Sequence, residues 1–228
     1  FMRGSSAAPP LIREALYSAS SNLFSESGLN LDQKGIWEDL GDIEFAGEIA
    51  VENFKKIKTF VKDVLVSDQK LVSLGGDHSV SWPILDAHLD KWDALDILHI
   101  DAHPDLYESL LGNKLSHASP FARIMETGRA SRLVQVGIRT LNKHQREQAE
   151  KFGVEIYQMK DLTKLSSLSF SKPVYCSIDI DALDPAYAPG VSHFEPGGLS
   201  TRQVIDCLNG FKGRLIGADI VEYNPKRD

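Results

Sequence analysis

Three side chains that can bind a metal ion alternate in the pentapeptide Asp101-Ala102-His103-Pro104-Asp105. The pentapeptide directly follows an apolar run, Leu95–Ile100, which is typical of a buried strand. Because alternate side chains of an extended chain point the same way, Asp101, His103 and Asp105 can share one face. Two carboxylates and an imidazole on one face favour a metal site. A solvated turn with a chance pattern is the alternative.

A second acidic group ends another apolar run, in the segment Ser177-Ile178-Asp179-Ile180-Asp181-Ala182-Leu183-Asp184-Pro185. Three carboxylates that begin within a buried strand would repel one another unless a cation lay between them. We therefore interpret Asp179 and Asp181 as metal ligands. Asp184 directly precedes Pro185, and we interpret it as the cap of a turn.

The segment Gly75-Gly76-Asp77-His78-Ser79 follows a third apolar run. Two glycines allow a sharp turn and a close approach of the backbone to a ligand. A single histidine is weak evidence alone, but His78 would lie at the same sheet end as the other two groups. Asp77 either caps the following helix or orients a ligand.

These segments together supply four carboxylates and two imidazoles: His78, Asp101, His103, Asp105, Asp179 and Asp181. The set is too large for one tetrahedral zinc ion, and it contains no thiolate. It suits two divalent cations that share carboxylates, and Mn²⁺ fits its oxygen and nitrogen donors better than Mg²⁺ or Ca²⁺. Two such ions, about 3.5–4 Å apart, can hold a hydroxide that attacks an electrophilic carbon or phosphorus.

The elements that position these residues are predicted from apolar patterning. Five runs rich in Val, Ile and Leu predict strands at Lys70–Leu74, Leu95–Ile100, Arg132–Val136, Val174–Ile180 and Arg214–Val221. Helices are predicted at Glu48–Leu65, Pro83–Leu89, Pro120–Thr127, Lys143–Phe152 and Thr201–Asn209. Surface loops are predicted at Ser18–Gly28 and Leu162–Lys172, and Ser200 with Gln203 resembles a capping box. The alternation predicts an α/β fold with a three-layer, doubly wound, mostly parallel sheet.

Metal-capable residues follow four of the five predicted strands. They are Asp77-His78, Asp101 to Asp105, Asp179 to Asp184, and Glu222. In open α/β sheets, ligands bind beyond the carboxyl ends of the strands. We therefore expect the four groups to converge on one place.

Composition limits the classes of function. A chain of 228 residues with 42% apolar and 25% charged residues fits one globular domain, residues 1–228. The formal charge of -7 argues against nucleic acid and anionic membranes, and it suits a cationic substrate. No apolar run of 18 residues predicts a transmembrane helix. The two cysteines, Cys176 and Cys207, are expected to be reduced and buried, as in a cytoplasmic protein.

The three metal-capable segments, in this order and spacing, resemble the metal signatures of the ureohydrolases, the family of arginase, agmatinase and formiminoglutamase. The resemblance covers Gly75–Asp228, with a weaker echo in Phe1–Leu16. The sequence is most similar to plant-type arginases and the bacterial agmatinases like them. The similar segments are Gly112–His117, Leu133–Arg139, Ala188–Gly198 and Gly217–Pro225. The resemblance implies a single arginase-like domain with two Mn²⁺ ions. The implied ligands are His78 and Asp105 for one ion, His103 and Asp181 for the other, and Asp101 and Asp179 bridging both.

The same resemblance implies roles for further residues. His117 matches the active-site histidine that shuttles protons, and Asp105 would protonate the departing amine. Glu222 matches the carboxylate that binds the guanidinium through two parallel N–H bonds. An ordinary salt bridge is the alternative for Glu222. Asn113 is expected to contribute a polar substrate contact.

The implied activity is hydrolysis of arginine or agmatine, which releases urea with ornithine or putrescine. The loop Leu106–His117 lacks the hydroxyl and amide run of animal arginases, while Glu195–Gly198 looks agmatinase-like but also occurs in plant-type arginases. Formiminoglutamase, or another guanidino or formimino hydrolase, is an alternative. Relatives that resemble histone deacetylases keep a single zinc ion and have no use for His78 and Asp105. A non-catalytic relative is disfavoured because every ligand position is filled.

The resemblance also implies partners and location. A small cationic guanidino substrate and a homo-oligomer, a trimer or hexamer, are expected. A cytoplasmic location is expected, or an organelle if a transit segment has been removed. Ureohydrolases usually have a strand before the segment that matches Phe1–Gly4 and a helix beyond Arg227-Asp228, so the ends of this chain are expected to be trimmed.

Overall fold

A computed structural model describes residues 2–45, 47, 50–162 and 168–227, and a single sheet is the centre of these residues. The strands are β1 (Leu71–Leu74), β2 (Leu95–Ile100), β3 (Ala130–Ile138), β4 (Glu155–Gln158), β5 (Ser169–Asp179) and β6 (Lys212–Val221). Their order is β1-β6-β5-β2-β3-β4, and each neighbouring pair is parallel. The predicted parallel sheet is therefore confirmed.

The helices of the described residues are α1 (Ala8–Leu16), α2 (Ala50–Val64), α3 (Ser81–Lys91), α4 (Pro120–Glu126), α5 (Lys143–Phe152) and α6 (Thr201–Gly210). Local sequence explains several ends. Asn142 caps α5 by accepting a hydrogen bond from Gln145 N, and Gly153 ends it in the left-handed region at φ 65°. Among the residues described, no helix combines the length and apolarity needed to cross a bilayer.

The sheet separates two apolar cores. Helices α2 to α5 pack on one face, where the buried residues include Ile57, Leu85 and Phe121. Helix α6 packs on the other face, where Val204 joins alternate residues of the same strands. Every residue of β2 is buried, because this strand is covered on both sides. The three-layer, doubly wound prediction is thus confirmed.

Some predicted boundaries differ from the structure. Strand β4 was not predicted, because its four residues are only half-buried at the sheet edge and carry little apolar pattern. The predicted loop Leu162–Lys172 is wrong at its end, since β5 already begins at Ser169; its residues 163–167 lie outside the described residues. The first two residues of predicted helix Glu48–Leu65 also lie outside them. Ser18–Gly28 contains only turns and an isolated bridge at Phe24, as expected for a loop.

The capping box of α6 gives a test of local stability. Ser200 Oγ accepts a hydrogen bond from Gln203 N at 3.2 Å, and Gln203 Oε1 accepts one from Ser200 N at 2.9 Å. We expect Ser200→Ala to lower the free energy of unfolding by about 1 kcal/mol, measured by urea denaturation. Ser20→Ala is the control, because Ser20 is exposed and its hydroxyl forms no hydrogen bond with described residues. Equal stability of the two variants would show that the cap contributes nothing.

Candidate metal centre

Four neighbouring strands deliver the predicted residues to one edge of the sheet. Strands β1, β6, β5 and β2 are adjacent in that order. At their carboxyl ends lie His78, Glu222, the segment Asp179–Asp181 and the segment Asp101–Asp105. Parallel strands with the same direction bring such ends together. The predicted convergence of four polar groups is therefore present in the structure.

His78 faces three carboxylates with one ring nitrogen. Its Nδ1 lies 3.2 Å from Asp101 Oδ2, 3.0 Å from Asp105 Oδ2 and 3.3 Å from Asp179 Oδ2. The ring is fully buried, yet Nδ1 forms no hydrogen bond with the described residues. Its other nitrogen, Nε2, lies 3.0 Å from Ser177 Oγ. An imidazole nitrogen surrounded by carboxylate oxygens is the arrangement that a shared cation requires.

His103 repeats this arrangement on the other side of the cluster. Its Nδ1 lies 3.4 Å from Asp101 Oδ1 and 3.1 Å from Asp181 Oδ2. Its Nε2 lies 3.4 Å from Glu195 Oε1. Asp101 thus lies between the two imidazoles, as expected for a carboxylate shared by two ions.

The spacing of two residues in these motifs has a local structural reason. Asp101 Oδ1 accepts a hydrogen bond from His103 N at 2.6 Å, and Asp179 Oδ1 accepts one from Asp181 N at 2.7 Å. Asp77 Oδ1 accepts one from Ser79 N at 3.1 Å, so Asp77 caps the short helix His78–Val80. An aspartate that binds the backbone two residues later forms a tight turn and fixes its own carboxylate.

Burial and mutual repulsion change the pKa values of the acids. Burial, then Asp181 and Asp101, raises the pKa of Asp179 well above its usual value. Burial and then Asp101 raise the pKa of Asp105 to about 6 and also raise that of Asp181. Burial also opposes ionisation of Asp101, but His99, His103 and His78 outweigh it and lower its pKa. Such a cluster is costly without positive charge at its centre.

The donors are close enough to bind metal ions. One oxygen from each of Asp101, Asp179 and Asp181 lies within 4.8 Å of the others. Two further groups of the same kind are His78 with His99 and Asp101, and His103 with Asp181 and His193. The donor set of carboxylates and imidazoles, with an orphaned nitrogen on His78, fits divalent cations of the Mn²⁺ type.

His99 was not predicted, although it lies on β2 two residues before Asp101. Gln135 Nε2 lies 3.0 Å from His99 Nδ1 and 2.6 Å from Pro104 O, so it donates to both. His99 Nε2 then carries the proton and donates to Asp101 Oδ2 at 2.7 Å. Burial first, against the pull of Asp101, lowers the pKa of His99 to about 4. His99 therefore orients Asp101 as a neutral donor.

A second buried network supports His78. Ser177 Oγ donates to Asp219 Oδ1 at 2.6 Å, and Tyr175 OH donates to Asp219 Oδ2 at 2.8 Å. Because the Ser177 hydroxyl proton is used on Asp219, its oxygen accepts from His78 Nε2. In the neutral ring, Nδ1 of His78 is then the unprotonated nitrogen, and it is directed at the acids.

A cavity of about 240 Å³ opens onto the cluster. It is lined by His103, Asp105, Tyr107, Leu110, His117, Ala118, Thr140, Gln145, Asp179, Asp181, His193, Glu195 and Glu222. This lining contains carboxylates and neutral polar groups, and within the described part of the chain it contains neither Lys nor Arg. The cavity therefore favours a cationic guest.

Glu222 reaches this cavity at a cost in backbone conformation. Its φ is 66°, in the left-handed region that non-glycine residues seldom adopt. Its Oε1 accepts from His78 N at 2.9 Å, while Oε2 is buried without a partner among the described residues. Burial first, and then repulsion from Asp77 and Asp105 against the pull of His78, raises the pKa of Glu222 to about 8. A buried carboxylate oxygen without a partner is a place for a cation.

His117 and Asn113 differ in position. His117 is half-buried on the cavity wall, with its ring 6.1 Å from that of His193. Burial first, together with His193 and His78 and against Asp77, lowers the pKa of His117 to about 4. Asn113 is exposed, its Oδ1 accepts from Leu115 N at 2.9 Å, and it is absent from the cavity lining. The structure therefore brings His117, but not Asn113, to the site.

Cys176 is buried and Cys207 is half-buried, and both are free thiols.

His193 and Glu195 line the cavity but were not predicted as site residues. They lie in an irregular segment between β5 and α6, where no periodic pattern shows which way a side chain points. Only their approach to His103 in the folded chain reveals them.

Comparisons with known proteins agree with this geometry. The chain is 47% identical over 242 residues to arginase 2, chloroplastic/mitochondrial, of Arabidopsis thaliana, covering 100% of this chain and 70% of that protein. It is 36% identical over 196 residues to an agmatinase of Bacillus cereus, covering 83% and 68%. The structure of an arginase from Medicago truncatula matches with a TM-score of 0.95 at 46% identity, covering 100% of this chain and 76% of that one.

The sequence pattern that describes the arginase family also matches this chain, over residues 1–228. Fold and sequence therefore lead to the same assignment. The chain belongs to the arginase family of hydrolases.

Proposed function

We propose that this protein hydrolyses the guanidino group of arginine, releasing urea and ornithine, with two Mn²⁺ ions as cofactors. The observation that carries the proposal is the buried, unpartnered Oε2 of Glu222, which lines the same cavity as the acid and imidazole cluster. A guanidinium is planar and cationic, so it can donate two parallel N–H bonds to one carboxylate.

The two ions would be held by the six residues whose donors surround the cluster. His78 and Asp105 would bind one ion, His103 and Asp181 the other, with Asp101 and Asp179 bridging. Support comes from the short distances between these side chains and from the orphaned Nδ1 of His78. Such ions, when bound, lower the pKa of water and so supply a nucleophile at neutral pH.

Glu222 would orient the substrate for attack. Its Oε1 is already fixed by the backbone N–H of His78, so the carboxylate has little freedom to rotate. A guanidinium bound to it would lie beside the acid cluster, because His78 belongs to both. Fixed orientation of the reacting carbon reduces the entropic part of the barrier.

Proton transfer would use Asp105 and His117. Asp105 has a pKa raised to about 6, chiefly by burial, and could pass a proton to the departing amine. His117 has a lowered pKa and is therefore neutral at pH 7, able to take a proton at the cavity wall. Exchange with solvent through His117 would reset the site after each turnover.

The preference for arginine over agmatine rests on similarity. Identity to the plant arginase extends over the full chain at 47%, whereas identity to the bacterial agmatinase is 36% over 83% of the chain. In the cavity lining, Tyr107, Thr140 and Gln145 offer neutral polar atoms for the α-amino and α-carboxylate groups of arginine. Asn113 as a substrate contact and a trimeric or hexameric assembly stay predictions.

The metal assignment is tested by thermal unfolding. A ligand at about 100 times its Kd stabilises the folded state by about 2.7 kcal/mol, so excess Mn²⁺ should raise the Tm of metal-free protein by roughly 5–10 °C. Asp101→Asn should abolish this shift, because Asp101 lies between both imidazoles. Asp184→Asn is the matched control, since Asp184 accepts backbone N–H groups of a turn and lies outside the cavity lining. An equal loss in both variants would contradict the assignment.

The substrate is tested by urea release from the Mn²⁺-loaded protein with arginine and agmatine supplied in parallel. We expect kcat/KM for arginine to be about tenfold higher or more, equivalent to ~1.4 kcal/mol. Higher activity with agmatine would reverse the preference. No urea from either, with two Mn²⁺ ions bound, would overturn the proposal and favour another guanidino or formimino compound.

Glu222→Gln tests the guanidinium contact. The variant keeps an oxygen that can accept from His78 N, so its Mn²⁺-dependent Tm shift should match the wild type. Removing one partner of a buried charge pair costs roughly 2–5 kcal/mol, so kcat/KM for arginine should fall at least about 30-fold. Glu108→Gln is the control, because Glu108 is exposed and also lies beyond the carboxyl end of a strand, β2. Unchanged activity in Glu222→Gln would exclude this contact.

His117→Ala tests the proton shuttle. General acid–base catalysis contributes about 10²-fold or more, so kcat should fall by that order. Added imidazole should restore part of the activity in this variant but not in Glu222→Gln. A kcat equal to that of the wild type would remove His117 from the mechanism.

A further inference from the structure

Glu195 lines the cavity beside His103 but has no part in the reaction proposed above. Its Oε1 lies 3.4 Å from His103 Nε2, within ion-pair distance. About a third of its side chain is exposed (33%), so the carboxylate is partly solvated, unlike the buried acids of the cluster. At this distance, the carboxylate can act on the imidazole of His103.

The two nitrogens of His103 face different groups. Nδ1 faces Asp101 and Asp181, whereas Nε2 faces Glu195. A nitrogen that binds a cation must be unprotonated. A neutral His103 that binds through Nδ1 therefore carries its proton on Nε2, directed at Glu195.

His78 shows the same polarity. Its Nδ1 faces the acids, and its Nε2 faces Ser177 Oγ, whose own proton is donated to Asp219. Both imidazoles of the cluster thus present Nδ1 inward and Nε2 outward to an acceptor. For His78 that acceptor is a fully buried hydroxyl, and for His103 it is Glu195.

Arg139 holds Glu195 in this position. Its Nε and Nη2 donate to Glu195 O at 2.8 and 2.6 Å, and Nη2 also donates to Asp181 O at 2.8 Å. Gly198 packs so closely here that a Cβ would lie 2.5 Å from Asp184 N. The segment that carries Glu195 is thereby fixed against the turn that carries Asp181, so the contact with His103 is built into the fold.

We propose that Glu195 is a positioning residue for His103: it accepts the Nε2 proton, fixes the ring with Nδ1 inward, and strengthens binding of the cation beside Asp181. The inference rests on the metal assignment of the proposed function. Carboxylates that accept from a ligating imidazole set its tautomer and raise its basicity, and losing such a partner costs about 10- to 100-fold in metal affinity.

The test is calorimetric titration of Mn²⁺ into metal-free protein, without substrate. In Glu195→Ala we expect one of the two Mn²⁺ sites to weaken about tenfold, the lower limit, because Glu195 is partly exposed, while the other site is unchanged. Glu195→Gln should recover most of this loss, since its amide oxygen still accepts a proton. Glu108→Ala, an exposed glutamate on the same side of the sheet, should leave both sites unchanged.

A double-mutant cycle separates positioning from a general loss of structure. In the His103→Ala background, Glu195→Ala should have no further effect on Mn²⁺ affinity, because its partner ring is gone. Wild-type affinity at both sites in Glu195→Ala would overturn the inference. If a separate assay of urea release then showed only a raised KM for arginine, Glu195 would belong to the substrate site instead. Because the titration contains no substrate, it tests the role of Glu195 even if the protein releases no urea from arginine. A wild-type chain that binds no Mn²⁺ would overturn both proposals.

Discussion

Four carboxylates buried around two imidazoles are the constraint on which the rest of the structure depends. Asp101, Asp105, Asp179 and Asp181 lie within reach of two ring nitrogens, and desolvation opposes their charge. Such a cluster persists only if a rigid frame holds it and positive charge compensates it. The parallel sheet supplies the frame, because four adjacent strands end at the same edge. Cations would supply the charge.

Around this cluster, hydrogen bonds from neighbouring residues fix the direction of several side chains. Gln135 sets the proton of His99, which then donates to Asp101. Ser177 and Asp219 set His78 in the same way. Backbone N–H groups two residues along donate to one carboxylate oxygen of Asp101 and one of Asp179. Neutral donors and backbone N–H groups thus orient Asp101, Asp179 and Asp181, and no Lys or Arg of the described residues forms a salt bridge with them.

Much of this could be predicted from local patterns, and the rest could not for identifiable reasons. Apolar runs predicted five strands because a doubly covered sheet needs continuous hydrophobic segments, but β4 lies half-buried at the edge and has no such pattern. Alternating acids predicted the cluster because each follows a buried strand. Glu195 lies in an irregular segment and contacts His103, which is 92 positions away in the chain, and no local signal records that approach. Asn113 illustrates the opposite problem. It was predicted to contact the substrate because it is a polar loop residue, but its side chain bonds to its own loop instead of lining the cavity.

The contact between His78 and Glu222 joins residues 144 positions apart in the chain. Its closure requires β6, which follows β5 in the chain, to insert between β1 and β5. Pairings over such long separations form slowly, because the loop must close before any contact compensates for it. During synthesis, the acids that follow β2 and those at the end of β5 are made before β6, the strand that pairs with β5. An ion that bound at that stage would meet an incomplete, solvent-exposed cluster, so binding of the proposed ions would depend on completion of the sheet.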